Sequence, residues 1–448
     1  MRFVDTIKNI YKIEDLRKRL IYTFLLVVVY RFGCFILLPG LTPADIQPLK
    51  DFASSGLMQL LDMFSGGAFS QASIFALGIM PYITASIVIQ LLGIVLPSFQ
   101  KMQREGESGR MKLNQYTRYL TVAILLLQGP AYLANLHIQI AQAGGNAQFT
   151  FWTYLYFTII LAAGSMFIMW LGEKITDRGI GNGISFIILV GIIARLPGAF
   201  VQEFTNRLTS AQGGLVMFLV EIVLLLVVIA GAVLLVQGTR KVPVQYAKRI
   251  VGNKQYGGAR QYIPLKVNAA NVMPIIFAQA IMFIPLGLAG FNPGDSTGFF
   301  GSITRALTDM HGFWYNAVYF LMIIAFTYFY TAITVRPTNI AEELKRNNGF
   351  IPGIKPGKMT SDYLDSIMSR ITLQGSIFLG IVAIMPAFAN LCGVNQQFSQ
   401  FFGGTSLLIL VGVVLDTLQQ IESHLMMRHY DGLLKSGKIK GRTTGAAY

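Results

Sequence analysis

The sequence predicts an all-α polytopic membrane protein with ten transmembrane helices. Three observations carry that prediction. Of the 448 residues, 53% are hydrophobic and only 13% charged. The apolar stretches are long and recur along the chain, and none shows the strict alternation of a membrane barrel strand. Every backbone amide in hydrocarbon must be satisfied inside a helix or a closed barrel, so a continuous run such as IYTFLLVVVYRFGCFILL (Ile21 to Leu38) is helical.

In chain order, the predicted spans are residues 21–38, 74–96, 116–135, 152–171, 179–194, 215–236, 270–290, 314–335, 371–390 and 404–421. The fifth and tenth are short and contain glycine. Residues 1–20 read as a cytoplasmic amphipathic segment. The first span has no small-residue cleavage pattern after it, so it is expected to stay attached as a mature helix. Lys and Arg alternate in abundance between the connecting segments. About 30 of the 36 lie on the side of the N-terminal tail and four on the other. By the positive-inside rule both termini are cytoplasmic, including the tail at 425–448. The net charge of +15 therefore belongs to one membrane face. Topology alone would explain it unless the loops offer more.

Several function classes lose support at this level. Cys34 and Cys392 lie far apart, and the four histidines form no cluster with them, so neither a metal nor a cofactor is implied. There is no GxxxxGK[ST] loop, and GIGNG (Gly179 to Gly183) lacks the strand and βαβ unit of a dinucleotide site. No nucleophile and base constellation suggests an enzyme. Within the spans, Arg31, Glu221 and Asp416 are the main charges, with no paired carboxylates for a proton relay.

An internal repeat organises the spans. MPYITA (Met80 to Ala85) in the second matches MPIIFA (Met273 to Ala278) in the seventh, aligning Ile83 with Ile276. GISFIILVGIIA (Gly183 to Ala194) in the fifth matches GTSLLILVGVVL (Gly404 to Leu415) in the tenth at six of twelve positions, aligning Ile188 with Ile409. Two matches in the same order indicate a duplication. Halves of five spans each force the second half into the membrane inverted, and such repeats place their functional path between the halves.

FSGGAFSQASIFALGIMPYI (Phe64 to Ile83), EGESGR (Glu105 to Arg110) with QYTRY (Gln115 to Tyr119), MWLGEKITDRGIGNGIS (Met169 to Ser185), PLKVN (Pro264 to Asn268), FIPGIKPG (Phe350 to Gly357) and FGGTSLLI (Phe402 to Ile409) resemble the SecY family of protein-conducting channels in its bacterial form. The resemblance implies a clamshell of two inverted five-helix halves, 21–200 and 201–424, in the bacterial cytoplasmic (inner) membrane. Its pore would pass unfolded secretory polypeptides outward and release hydrophobic segments sideways into lipid. Implied partners are SecE, SecG, the SecA motor ATPase, the ribosome, signal peptides and nascent membrane proteins, and membrane lipids, with YidC and SecDF as further associates.

The resemblance also assigns residues. A plug is implied at about 57–70, including Leu57, Leu60, Leu61, Phe64, Gly66, Gly67 and Ser70; the residues alone equally permit an amphipathic helix on the outer surface. The pore ring falls on Ile79, Ile83, Ile184, Ile188, Ile276 and Ile409, where stiff β-branched side chains would form an apolar collar. Ordinary helix packing or lipid exposure is the plain alternative for any isoleucine here. Thr84, Ser86, Gln90, Asn271 and Gln279 are candidates for polar contacts across a lateral gate, or for bonds within their own helices. The basic cytoplasmic loops at about 237–269 and 336–370 would meet motor or ribosome through Arg240, Lys241, Lys248, Arg249, Lys355 and Lys358. Lys355 departs from the family's usual arginine. A secondary transporter of a small solute is the alternative from another class; it would need convergent polar or charged groups in the path, where this sequence offers isoleucines.

Overall fold

The computed structural model describes residues 13–42, 62–142, 150–209, 214–246, 249–251, 254–256, 260–270, 272–289 and 312–435. Each predicted span holds one long helix. These are α1 (Glu14–Gly33), α2 (Met80–Val95), α4 (Glu107–Gln142), α5 (Phe151–Arg178), α6 (Gly183–Thr209), α7 (Gly214–Gln237), α8 (Met273–Ala289), α9 (Phe313–Thr334), α11 (Lys358–Leu391) and α13 (Gly404–Lys435). Short helices α3 (Pro97–Arg104), α10 (Pro337–Arg346) and α12 (Gln396–Ser399) sit between them.

Location thus agrees with ten spans, whereas length and composition pass fewer. Among the described residues, seven helices are long and apolar enough to cross a membrane, or eight if α2 and α3 count as one broken span. The shortfall has local causes. Helix α1 starts in the charged stretch at Glu14, and α8 has 17 residues. Helix α2 starts at Met80 and not at the predicted 74, because residues 65–79 run through successive turns. Gly78 and Ala72 take positive φ in that stretch, and Pro81 at the first turn of α2 favours a start there.

Outward faces of several helices are apolar. Helix α1 exposes Phe24, Leu25, Val28 and Phe32 while burying Leu26 and Tyr30, and the most apolar stretch of α7 is largely exposed. For a chain solvated by lipid, this is ordinary. Pro130, Pro197 and Pro386 lie inside α4, α6 and α11; such breaks are tolerated in membrane helices because neighbouring groups re-satisfy the backbone.

The chain divides into two compact units. One runs to Arg195 and resumes at Val413; the other spans Leu196–Gly412. Helices α6 and α13 therefore each contribute to both. In the first unit, an apolar cluster around Leu133, Leu136, Leu161 and Phe69 holds the turn segment, with Tyr132 Oη donating to Phe69 O at 3.0 Å.

The second unit contains β-structure that the helical periodicity did not announce. Strands β1 (Thr239–Tyr246), β4 (Arg260–Lys266) and β5 (Gly349–Phe350) form a sheet of order β4-β1-β5, and β2 (Arg249–Val251) pairs with β3 (Lys254–Tyr256) as a hairpin. All pairings are antiparallel, with Val242 opposite Ile263 and Gln245 opposite Phe350. Val242, Val244 and Leu265 pack with Leu344, Ile351, Leu364 and Met368 under this sheet. The segment between α7 and α8 and the one between α9 and α11 are thereby joined into one module.

Candidate functional site

The predicted site residues distribute over both units. Ile79, Ile83, Ile184 and Ile188 belong to the first, and Ile276 and Ile409 to the second. Each repeat-related pair, Ile83 with Ile276 and Ile188 with Ile409, thus contributes one member per unit. Ile79, Ile188 and Ile409 are buried, while Ile83, Ile184 and Ile276 are half-buried. Ile184 sits over Gly172 of α5, where a side-chain carbon would come within 3.0 Å of its Cγ1.

GIGNG is the junction that starts α6. The Asn182 side chain accepts from the amides of Ile184 and Ser185 at 3.1 and 3.4 Å, an N-cap. Gly181, at φ +82°, donates to Gln420 Oε1 at 2.8 Å. These bonds seat the helix that carries Ile184 and Ile188.

Of the predicted plug, Leu57, Leu60 and Leu61 lie outside the described residues. Residues 62–64 are helical and turns follow. Phe64, Gly66, Gly67 and Ser70 are all buried within the first unit. Polar groups hold this segment: Asp62 forms an ion pair with Arg195, and Arg31 Nη1 donates to Gly66 O at 2.8 Å. In the sequence Arg31 stands out as a charge inside a span, whereas Asp62 and Arg195 give only the weaker signal of charges flanking apolar stretches.

The predicted gate residues bond locally. Thr84 Oγ1 donates to Met80 O at 3.1 Å and Gln90 Nε2 to Ser86 Oγ at 3.3 Å, both inside α2. Gln279 on α8 is buried, and Asn271 lies outside the described residues.

Arg240 and Lys241 are exposed at the start of β1. Arg249 lies on β2, and Lys248 is outside the described residues. Lys355 is exposed in the turn that leads into α11 and Lys358 is exposed as the first residue of that helix; Gly353 and Gly357 in the turn take φ of +85° and +108°. The Lys355 carbonyl accepts from Thr360 Oγ1 at 2.9 Å, which fixes the backbone and leaves the ammonium free to project. The β1–β5 pairing places both sets of basic residues on one small module.

The SecY family profile matches residues 73–418. The chain belongs to the SecY family. A "Protein translocase subunit SecY" of Streptomyces scabiei is 44% identical over 434 residues, covering 95% of this chain and 98% of that protein. Among solved structures, a SecY whose plug domain is described as stabilising the closed state of the translocation channel and maintaining a membrane seal has a TM-score of 0.64 at 21% identity, covering 95% of each chain. Sec61 in the canine ribosome-channel complex has a TM-score of 0.58 at 19% identity, again over 95% of each. The SecY family supplies the channel subunit of protein translocases, and the fold described here is the one its members share.

Proposed function

We propose that this chain is the pore-forming subunit of a Sec translocon in the bacterial cytoplasmic membrane, with both termini cytoplasmic. It conducts unfolded secretory polypeptides across the bilayer and releases hydrophobic segments laterally into lipid. The observation that carries this is near-complete coverage by a SecY relative at 44% identity. The internal repeat supports it, with its two isoleucine pairs divided one member to each unit.

The finer roles follow the same reading. Ile79, Ile83, Ile184, Ile188, Ile276 and Ile409 form the collar, which blocks ions by excluding water yet yields around many side chains. Residues 57–70 are the plug. Thr84, Ser86, Gln90, Asn271 and Gln279 are the polar members of a lateral gate, whose bonds an entering signal sequence exchanges for its own apolar contacts. SecE and SecG complete the channel, and SecA or the ribosome docks on the basic module carrying Arg240, Lys241, Lys248, Arg249, Lys355 and Lys358.

Reconstitution tests the proposal. The chain is placed in vesicles with SecE, SecG and SecA, and a secretory precursor is added with ATP. Protease protection of the precursor that requires this chain is the expected result. Precursor that stays fully accessible, despite an assembled complex and an active motor, would overturn it.

A further inference from the structure

Asp62 and Arg195 have no part in the collar, the gate or the basic module. Asp62 is buried, 4% exposed, and its carboxylate is ion-paired with Arg195 of α6. Asp62 Oδ1 also accepts from the Ser70 amide at 2.8 Å, and Arg195 Nη2 donates to Ser70 Oγ at 3.0 Å. One guanidinium thus ties the start of the 62–70 loop to its end. A second reaches the middle, where Arg31 Nη1 donates to Gly66 O. Tyr30 Oη adds a bond to Ser65 O at 3.2 Å.

The Gly-Gly pair makes room for both cations. A Cβ on Gly66 would lie 2.8 Å from Arg31 Nη1, and one on Gly67 would lie 3.2 Å from Arg195 Nε and Nη2. Both glycines take positive φ, +66° and +95°, so the loop's close turn and its approach to the arginines have the same origin.

We propose that Arg195, assisted by Arg31, is an ionic latch on the plug segment and that its strength sets how readily a weak signal sequence opens the channel. This rests on the reading of residues 57–70 as the plug. Arg195 is a positioning residue here. A charge pair suits a two-state device: it is strongest while Asp62 lies buried against Arg195, whose side chain is itself 35% exposed. Once the segment leaves and both charges are hydrated, little attraction remains to draw it back.

The experiment uses the full chain reconstituted with its partners, comparing Arg195→Gln, Asp62→Asn, Arg195→Lys and a deletion of residues 57–70. Two quantities are read: channel openings in planar bilayers without precursor, and the ratio of transport for a weakened against an intact signal sequence. Either neutralisation is expected to raise openings about tenfold, equivalent to about 1.4 kcal/mol of lost anchoring, and to raise the weak-to-intact ratio. Arg195→Lys, which keeps the charge opposite Asp62, is expected to stay near the parent chain. If the deletion opens the channel while both neutralisations leave openings and ratio unchanged, the latch is refuted and the plug reading stands. If the deletion also changes nothing, the plug reading fails and the latch with it. Should the single variants not assemble, the exchange of Asp62→Arg with Arg195→Asp decides: recovered sealing supports the latch, and leakage equal to the deletion overturns it.

Discussion

At Lys355 the chemistry of a single side chain separates from the geometry of its loop. The turn is held by backbone features, namely two glycines at positive φ and the Thr360 hydroxyl bonded to the Lys355 carbonyl. The ammonium is exposed, so its contribution to folding is that of a surface charge, about 0 to 1 kcal/mol at most. Lys355→Glu is therefore expected to leave assembly intact while weakening binding of an acidic motor surface or rRNA phosphate and slowing transport. Lys355→Arg is expected to match or exceed the parent, because a planar guanidinium engages carboxylate or phosphate with two parallel hydrogen bonds. Motor affinity and transport rate at low and moderate salt check both. Equal values for Glu, Lys and Arg would move the contact to Arg240 and Lys241 on the same module.

The clearest lesson among the elements comes from α6, which runs past the predicted end of the fifth span to Thr209. Its last turns carry Glu203 and Arg207, spaced four residues apart on one face. Arg207 Nε donates to Glu203 Oε1 at 2.9 Å, while its Nη2 reaches Glu221 Oε1 of α7 at 2.5 Å and Gly393 O at 2.7 Å. Glu203 Oε2 accepts from the Asn395 amide at 2.9 Å, so one buried cluster anchors the segment between α11 and α12. Glu221 Oε2 has no hydrogen-bond partner among the described residues. Removing the only cation of this cluster leaves two buried carboxylates uncompensated, a loss of about 3–5 kcal/mol. Arg207→Met is accordingly expected to lower the melting temperature in detergent markedly. Glu221→Gln is expected to be far milder, because Arg207 keeps Glu203 and a half-satisfied charge is removed. Comparable losses for the two variants would contradict this account.

For the whole molecule, the decisive feature is the duplication that puts one isoleucine of each repeat pair in each unit. Ile83 and Ile276 are half-buried, so serine at both keeps most core packing; Ile188 and Ile409 are buried, where loss of a large side chain typically costs about 2–5 kcal/mol. The double variant Ile83→Ser with Ile276→Ser is expected to assemble and to pass ions that the parent excludes, since hydroxyls favour water in a narrow passage. Adding serine at 188 and 409 is expected to raise conductance further at some expense of stability. Conductance that ignores all four positions, yet follows other span residues, would displace the collar.

Helices at the ten predicted places and the internal repeat were legible in the sequence, because hydropathy and self-similarity are one-dimensional properties, and lipid forces the first to be explicit. The motifs likewise carried the family. Three things were decided only in three dimensions. The turns at 65–79 shorten α2 from its predicted start at 74, although Ile74, Phe75, Ala76 and Leu77 are apolar residues that could continue a helix. Val242 and Val244 alternate in the manner of a strand, but β5 is two residues long and becomes visible only through its pairing with Gln245 and Tyr246, more than a hundred positions away. Asp62 and Arg195 look like unrelated charges 133 positions apart until folding pairs the buried carboxylate with the half-buried guanidinium. Periodicity reports what each segment needs from its solvent, whereas partners distant in sequence are chosen by packing, and no local pattern encodes that choice.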